Sequence, residues 1–256
     1  MTLDTNRTVR ELALDMPDAT RVFERLRIDY CCGGNRTLSD ACQSAGVKVE
    51  EVTGLLEREA ESPDHDGGML DFQSLSLAEL ISYIIEKHHV FTTAEMARIT
   101  ALVDKVCGKH GEHHSELIEV GTLFARLCDE LRPHMLKEER VLFPYIAVLE
   151  VSTARDLAPP FAPFGTVNNP VRMMMFEHDA AGDILRALRD ASRDYAVPED
   201  ACMSYRALYH ALEAFEADLH QHIHLENNVL FPRAVELERA TRAFEPACEV
   251  TTRGCQ

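Results

Sequence analysis

The chain is predicted to be all-α, an up-down-up-down bundle of four long helices preceded by a small helical N-terminal domain. Three observations predict it. Apolar residues recur at helical spacing in four stretches of more than 20 residues each. One eleven-residue phrase occurs twice, as HMLKEERVLFP from His134 to Pro144 and as HIHLENNVLFP from His222 to Pro232. The copies share His, Glu, Val, Leu, Phe and Pro at the same six offsets, and an internal repeat of this kind sets the architecture. The residues before Ser74 read instead as short helices separated by turns.

Residues 1–61 form the expected N-terminal domain. Thr8-Val9-Arg10-Glu11 is a capping box ahead of Leu12 and Leu14, and Pro17 suits the first turn of a helix through Val22, Phe23 and Leu26. Asp29-Tyr30-Cys31-Cys32-Gly33-Gly34 is an abrupt turn. Thr37 can cap a third helix that stops at Gly46, and Val49–Glu61 makes a fourth. A helix-turn-helix reader of DNA could show similar spacing, but there is no basic recognition helix. Residues 62–73, which include Ser62-Pro63-Asp64-His65-Asp66-Gly67-Gly68, read as a linker with His65 in solvent.

Residues 74–242 form the expected bundle. The first helix carries Leu77, Leu80, Ile81, Ile84, Met96, Ile99, Leu102 and Val106, and Cys107–Gly111 ends it. The second runs from about His113 through Leu117, Phe124, Leu127 and Leu131 toward Leu149, with a kink expected at Pro133. Residues 151–170, rich in proline, are expected to be a long functional or mobile loop. The third helix is expected over Val171–Tyr195, and the fourth from Glu199 past Val235. Residues 243–256 show no periodicity and are expected to be a disordered tail.

Composition excludes several function classes. With 26 Lys+Arg against 43 Asp+Glu the formal charge is −17, which disfavours nucleic acid and anionic membrane as partners. No apolar run is long enough to span a bilayer and Met1–Leu14 lacks a signal-peptide core, so a cytoplasmic protein is expected. Its eight cysteines are then expected to be reduced, with Cys42, Cys107, Cys128 and Cys202 as small buried apolar residues.

The repeat also carries chemistry. His134 and Glu138, like His222 and Glu226, are spaced i to i+4 and share a helix face. His89 precedes His134 by 45 residues and His178 precedes His222 by 44, so each half offers one helix with a histidine and one with His-x-x-x-Glu. Four histidines and two carboxylates can hold two metals, each taking two imidazoles while both carboxylates bridge. An oxo or hydroxo group and an open position would complete the coordination. Such a nitrogen and oxygen set suits iron or manganese better than structural zinc, and the excess of imidazole leans toward iron. Helical spacing alone permits His88 or His89; the offset favours His89 and leaves His88 turned away, where its loss should matter little. His110, His113, His114, His210, His220 and His224 are read as surface or supporting residues. Cys31 and Cys32 have two readings, exposed reactive thiols or two small buried residues at a tight turn.

At these residues the chain resembles the hemerythrin-like di-iron proteins. The DYCCGG hexapeptide at Asp29–Gly34, the first phrase around His134, EHDAAG from Glu177 to Gly182 and the second phrase around His222 resemble one group in particular: the iron–sulfur cluster repair di-iron proteins, which join an ScdA-type N-terminal domain to a hemerythrin-like bundle. The resemblance spans about residues 5–240; loop 151–170 and the tail depart from it. It implies iron ligands at His89, His134, His178 and His222, with Glu138 and Glu226 bridging two non-haem irons. It also implies a cytoplasmic, often dimeric stress protein that restores damaged clusters in iron–sulfur client proteins, with nitric oxide or dioxygen as small ligands. It adds weight to a role for Cys31 and Cys32 in handling iron, sulfur or nitrosyl groups. Such a protein is a repair or iron-donor factor more than a conventional enzyme; nitric oxide reduction would need an electron donor that the chain does not identify. The alternative from the same site is a reversible carrier or sensor of dioxygen or nitric oxide, with no role for the cysteines.

Overall fold

The computed structural model describes residues 3–60 and 70–243; most of the expected linker, and all but the first residue of the expected tail, lie outside them. Four short helices build the N-terminal unit: α1 (Val9–Asp15), α2 (Ala19–Leu26), α3 (Leu38–Ala45) and α4 (Val49–Ala60). Thr8 and Glu11 cap α1 reciprocally, as their spacing predicts. Gly46 closes α3 at φ 71°, a left-handed conformation in which a side chain would be strained. Val9, Leu12, Phe23, Leu38, Val52 and Leu56 make a small core of their own.

Four long helices follow, and three of them are interrupted by a π turn. Helix α5 comprises Leu77–Tyr83, a π turn at Ile84–His89 and Val90–His110. Helix α6 comprises Glu116–Lys137, a π turn at Glu138–Leu142 and Phe143–Ala154. Helix α7 runs unbroken over Asn168–Ala191. Helix α8 comprises Met203–His224, a π turn at Leu225–Leu230 and Phe231–Ala243. Among the described residues there is no strand, only an isolated bridge between Thr8 and Thr37. Helix α6 packs along both α5 and α7, and α5 along α8, as in an antiparallel bundle.

The expected helix ends shift for identifiable reasons. Helix α7 begins at Asn168, ahead of Pro170, because the first turn of a helix needs no N–H donors there. Buried Glu238 accepts from the Val167 N–H at 3.1 Å and from the Tyr145 hydroxyl at 2.6 Å, tying the end of loop 151–170 to the bundle. The ring of Phe164 packs on Tyr145 with centroids 4.9 Å apart. That loop is therefore largely structural, although Phe161 stands exposed. Glu150 caps α5 from outside, accepting from Leu77 and Ala78 at 2.7 and 3.0 Å. Pro133 does not end its helix, which continues to Lys137 before the π turn.

The bundle core is divided in two. One apolar cluster gathers Ile99, Val106, Leu117, Phe124, Leu208 and Phe215. The other gathers Leu80, Ile84, Leu142, Phe143, Leu230 and Phe231. Between them lies a buried layer of histidine and glutamate.

The N-terminal unit docks along α7 and α8. Arg27 pairs with Asp194, and His220 Nδ1 meets Glu24 at 2.9 Å. The amide of Asn228 donates to the Tyr30 carbonyl at 2.9 Å, and Arg10 donates to the Asn228 carbonyl at 3.1 Å. Gly34 is required at this junction: a Cβ there would sit 2.9 Å from the Tyr30 carbonyl oxygen and 3.3 Å from Asn228 Oδ1. No described helix is long and apolar enough to cross a membrane.

Candidate metal centre

All six residues expected at the site meet in the polar layer. His89, His134, His178 and His222 are at most 3 % exposed, and Glu138 and Glu226 are fully buried. Their ligand atoms fall into two groups, His89, His222, Glu138 and Glu226 on one side and His134, His178, Glu138 and Glu226 on the other. Within each group the atoms lie within 4.8 Å of one another, and both carboxylates belong to both groups. Glu226 Oε1 is 3.0 Å from His222 Nε2 while its Oε2 is 3.1 Å from His178 Nε2. Glu138 spans the same gap, with Oε1 3.4 Å from His134 and Oε2 3.6 Å from His89.

The outer ring nitrogens are held from behind. His89 Nδ1–H donates to Glu139 at 2.8 Å, His134 Nδ1–H to Glu177 at 2.8 Å, and His178 Nδ1–H to Asn227 Oδ1 at 2.8 Å. Donating from Nδ1 leaves Nε2 as a lone pair aimed inward, the tautomer a metal ligand needs. His222 differs. Its buried Nδ1 makes no hydrogen bond.

The residues fit a pair of cations. Two Nε2 atoms face each other at 3.1 Å between His89 and His222, and two more at 3.0 Å between His134 and His178. Both oxygens of Glu138 and Oε2 of Glu226 are buried without a hydrogen bond. His178 approaches that Oε2 closely but without hydrogen-bond alignment, as expected when both atoms point at a common third position. Two uncompensated buried carboxylates are costly, and cations between these atoms would remove the cost.

Electrostatics couple the same imidazoles and carboxylates to one another. Burial disfavours charge on His134, but Glu138, Glu177 and Glu226 outweigh it and raise the imidazole to about 10. Burial likewise opposes the charge on Glu226, yet His222, His178 and His89 hold it well below the usual carboxylate range. For His222 burial prevails over Glu226 and pulls the imidazole down. Glu177, bonded to His134 and paired with Lys137, is lowered to about 2.

Other residues depart from their expected places. His88 is not turned idly away: it is buried, bonded through Nδ1 to Asp218 at 3.1 Å, and stacked on His222 with ring centroids 5.6 Å apart and planes 7° from parallel. His224 is buried against Tyr30, where burial lowers it to about 4. Of the two cysteines of the hexapeptide, Cys31 is buried and Cys32 half-buried. Hydrogen bonding to Cys32, and then burial, push the Cys31 thiol well up. Asp29, Cys31 and Cys32 bring their ligand atoms within 4.8 Å of one another, and Cys32 Sγ lies 3.7 Å from the His178 carbonyl oxygen.

Cys42 and Cys128 are buried as expected, but Cys107 and Cys202 are only half-buried. Cys202 occupies the N-terminal cap of α8 with Sγ 3.1 Å from His110 Nε2. The π turns, Glu139, Glu177 and Asn227 were not anticipated. A signal existed for two of them: Glu139 and Asn227 each follow the glutamate of their phrase.

A four-helix bundle with four histidines and two glutamates buried at its centre defines a hemerythrin-type cation-binding protein. Residues 80–234 match the family described as hemerythrin HHE cation binding domain, and residues 5–60 match ScdA_N, a domain of unknown function (DUF542). The chain is 34% identical over 229 residues to a probable iron–sulfur cluster repair protein of Haemophilus influenzae, covering 88% of this chain and 95% of that protein. It is 33% identical over 233 residues to the iron–sulfur cluster repair protein YtfE of Pectobacterium carotovorum, covering 91% and 98%, and equally identical to YtfE of Yersinia pestis over the same shares. The chain belongs to this family of iron–sulfur cluster repair proteins.

Proposed function

We propose that this protein repairs iron–sulfur clusters damaged by oxidative or nitrosative stress, acting in the cytoplasm on iron–sulfur client proteins. The observation that carries the reading is the pair of four-residue groups sharing Glu138 and Glu226, in a chain whose relatives are named as cluster repair proteins. His89 and His222 would hold one non-haem iron, His134 and His178 the other, and Glu138 and Glu226 would bridge them. When bound, this pair supplies exchangeable iron and a position for a small gas such as nitric oxide or dioxygen.

The chain's own residues do the rest. Glu139, Glu177 and Asn227 fix the tautomer and direction of three imidazoles. The apolar clusters on either side exclude water from the carboxylates, which strengthens their hold on a cation. Cys32, half-buried beside His178, would receive iron or a nitrosyl group on its way to or from a client. A homodimer fits the reading without being needed by it.

The test is a dehydratase whose cluster has been damaged by nitric oxide or peroxide. Recovery of its activity with the iron-loaded protein should exceed recovery with an equal amount of free ferrous iron; equal recovery would sink the proposal. Replacing Cys31 and Cys32 by Ala should abolish the excess while leaving bound iron unchanged, whereas a gas carrier would be indifferent to that change.

A further inference from the structure

The two halves of the bundle repeat one plan, and the plan breaks at one place. In each half the residue after the bridging glutamate anchors a histidine of a neighbouring helix: Glu139 follows Glu138 and accepts from His89, and Asn227 follows Glu226 and accepts from His178. The residue before the single histidine should do likewise for the histidine of the phrase. Glu177, before His178, does so, accepting from His134 at 2.8 Å. The corresponding residue before His89 is His88. Its ring stacks on His222 and bonds to Asp218, and its own Nε2 is buried without a partner. His222 Nδ1 is left with no acceptor.

The remaining anchors are unequal in the same direction. Glu139, which holds His89, is 40 % exposed along its side chain, so water competes for its carboxylate. Glu177 is half-covered and steadied by Lys137, and Asn227 is buried and itself bonded to the Cys31 carbonyl. One metal position therefore has two firmly held imidazoles; the other has one loosely held and one unanchored.

We infer that the position between His89 and His222 is the weaker of the two and gives up its ion first, because His88 stands where the anchoring carboxylate of His222 would be. This rests on the proposal that the six residues hold two ions, and it names which of them is the exchangeable one. Outer hydrogen bonds of this kind are worth about ten- to a hundredfold in metal affinity. The His88 ring, fixed by Asp218, is a positioning residue that limits the orientation of His222 by stacking without raising its basicity.

The experiment uses the full chain loaded anaerobically with ferrous iron and mixed with excess ferrozine, with release read from the coloured complex. Two phases of equal amplitude are expected, separated by about ten- to a hundredfold in rate. His88→Gln places an acceptor where Glu177 stands in the other half and should slow the fast phase toward the slow one. Glu177→Leu should quicken the slow phase toward the fast one. With one equivalent of iron, anomalous diffraction should place the metal between His134 and His178. A single release phase in the parent chain would overturn the inference. So would a fast phase unaltered in a His88→Gln variant that melts like the parent, or a lone iron found between His89 and His222. Should His88→Gln not fold, Glu177→Leu decides alone: quickening of the fast phase in place of the slow one counts against the inference. None of these readouts involves a client, so unequal release without cluster repair would leave the inference standing and remove the function, and the converse result would do the reverse.

Discussion

The side-chain amide of Asn227 donates to the backbone carbonyl of Cys31, 3.2 Å away. Its oxygen meanwhile accepts from His178 at 2.8 Å, so one carboxamide joins the N-terminal hexapeptide to the histidine and glutamate layer. Two variants separate these bonds. Asn227→Asp keeps the acceptor for His178 and loses the donor to Cys31, so bound iron should hold while the thiols at Cys31 and Cys32 react faster with a maleimide. Asn227→Leu loses both, and affinity at the His134–His178 position should fall about ten- to a hundredfold. Equal iron affinity in the two variants would show that the anchor does not act on His178.

Glu226→Leu should lower iron at both positions, because its two oxygens face His222 and His178 on opposite sides. His89→Leu should weaken mainly one. Iron per chain after equal exposure to a chelator, measured by elemental analysis, decides between them; loss of only one ion from Glu226→Leu would contradict a bridging role.

Legibility in the sequence varied with the kind of feature. The repeated phrase and its flanking histidines were visible because the i to i+4 spacing of His134 and Glu138, or His222 and Glu226, has a direct geometric meaning. The bundle was visible for the same reason, through long apolar periodicity. The π turns had no composition cue, since widening Leu225–Leu230 into longer-range hydrogen bonds requires no particular residue. The surroundings of His88 were not legible because its place about 100° round the helix from His89 says nothing about which neighbour waits there; Asp218 and His222 on α8 do. Nothing in the spacing of the second phrase marks the two asparagines after Glu226, whose amides hold the Cys31 and Tyr30 carbonyls of the N-terminal unit.

His224 makes the docked interface sensitive to acid. Burial lowers it to about 4, against about 6.5 for an unperturbed imidazole. The unfolded chain therefore binds more protons between those values, and the stability this neutral histidine contributes is complete above about pH 6.5 and is lost as pH falls toward 4. Protonation would also cost His224 Nδ1 the hydrogen bond it accepts from Asn228 at 2.9 Å. In denaturant unfolding, the drop in stability from pH 7 to pH 5 should be smaller in His224→Gln than in the parent. An identical drop would show that the group does not carry the linkage.

Among the described residues, Cys202 should be the most reactive thiol at neutral pH. Backbone N–H groups of the first turn of α8, chiefly that of Tyr205, together with His110 lower it to about 7. Alkylation by iodoacetamide, read by peptide mass spectrometry, should be half-maximal near pH 7 at Cys202. In His110→Ala the midpoint should rise. A midpoint unchanged by His110→Ala would remove the imidazole from the account.

The divided core changes where this bundle is weakest. Helical bundles ordinarily loosen from their ends, where backbone groups lack partners. Here the ends are tied, α5 by Glu150 and the start of α7 by Glu238. The mid-plane instead stacks two carboxylates and four imidazoles between two oily halves, with π turns thinning the backbone ladder of three helices at that same height. Without a cation that mid-plane should be a soft waist between two firm ends, and a cation bound there should act as a clasp. Binding of a cation and rigidity of the scaffold should thus be one variable, so the cation-free chain should be the form most open to refilling.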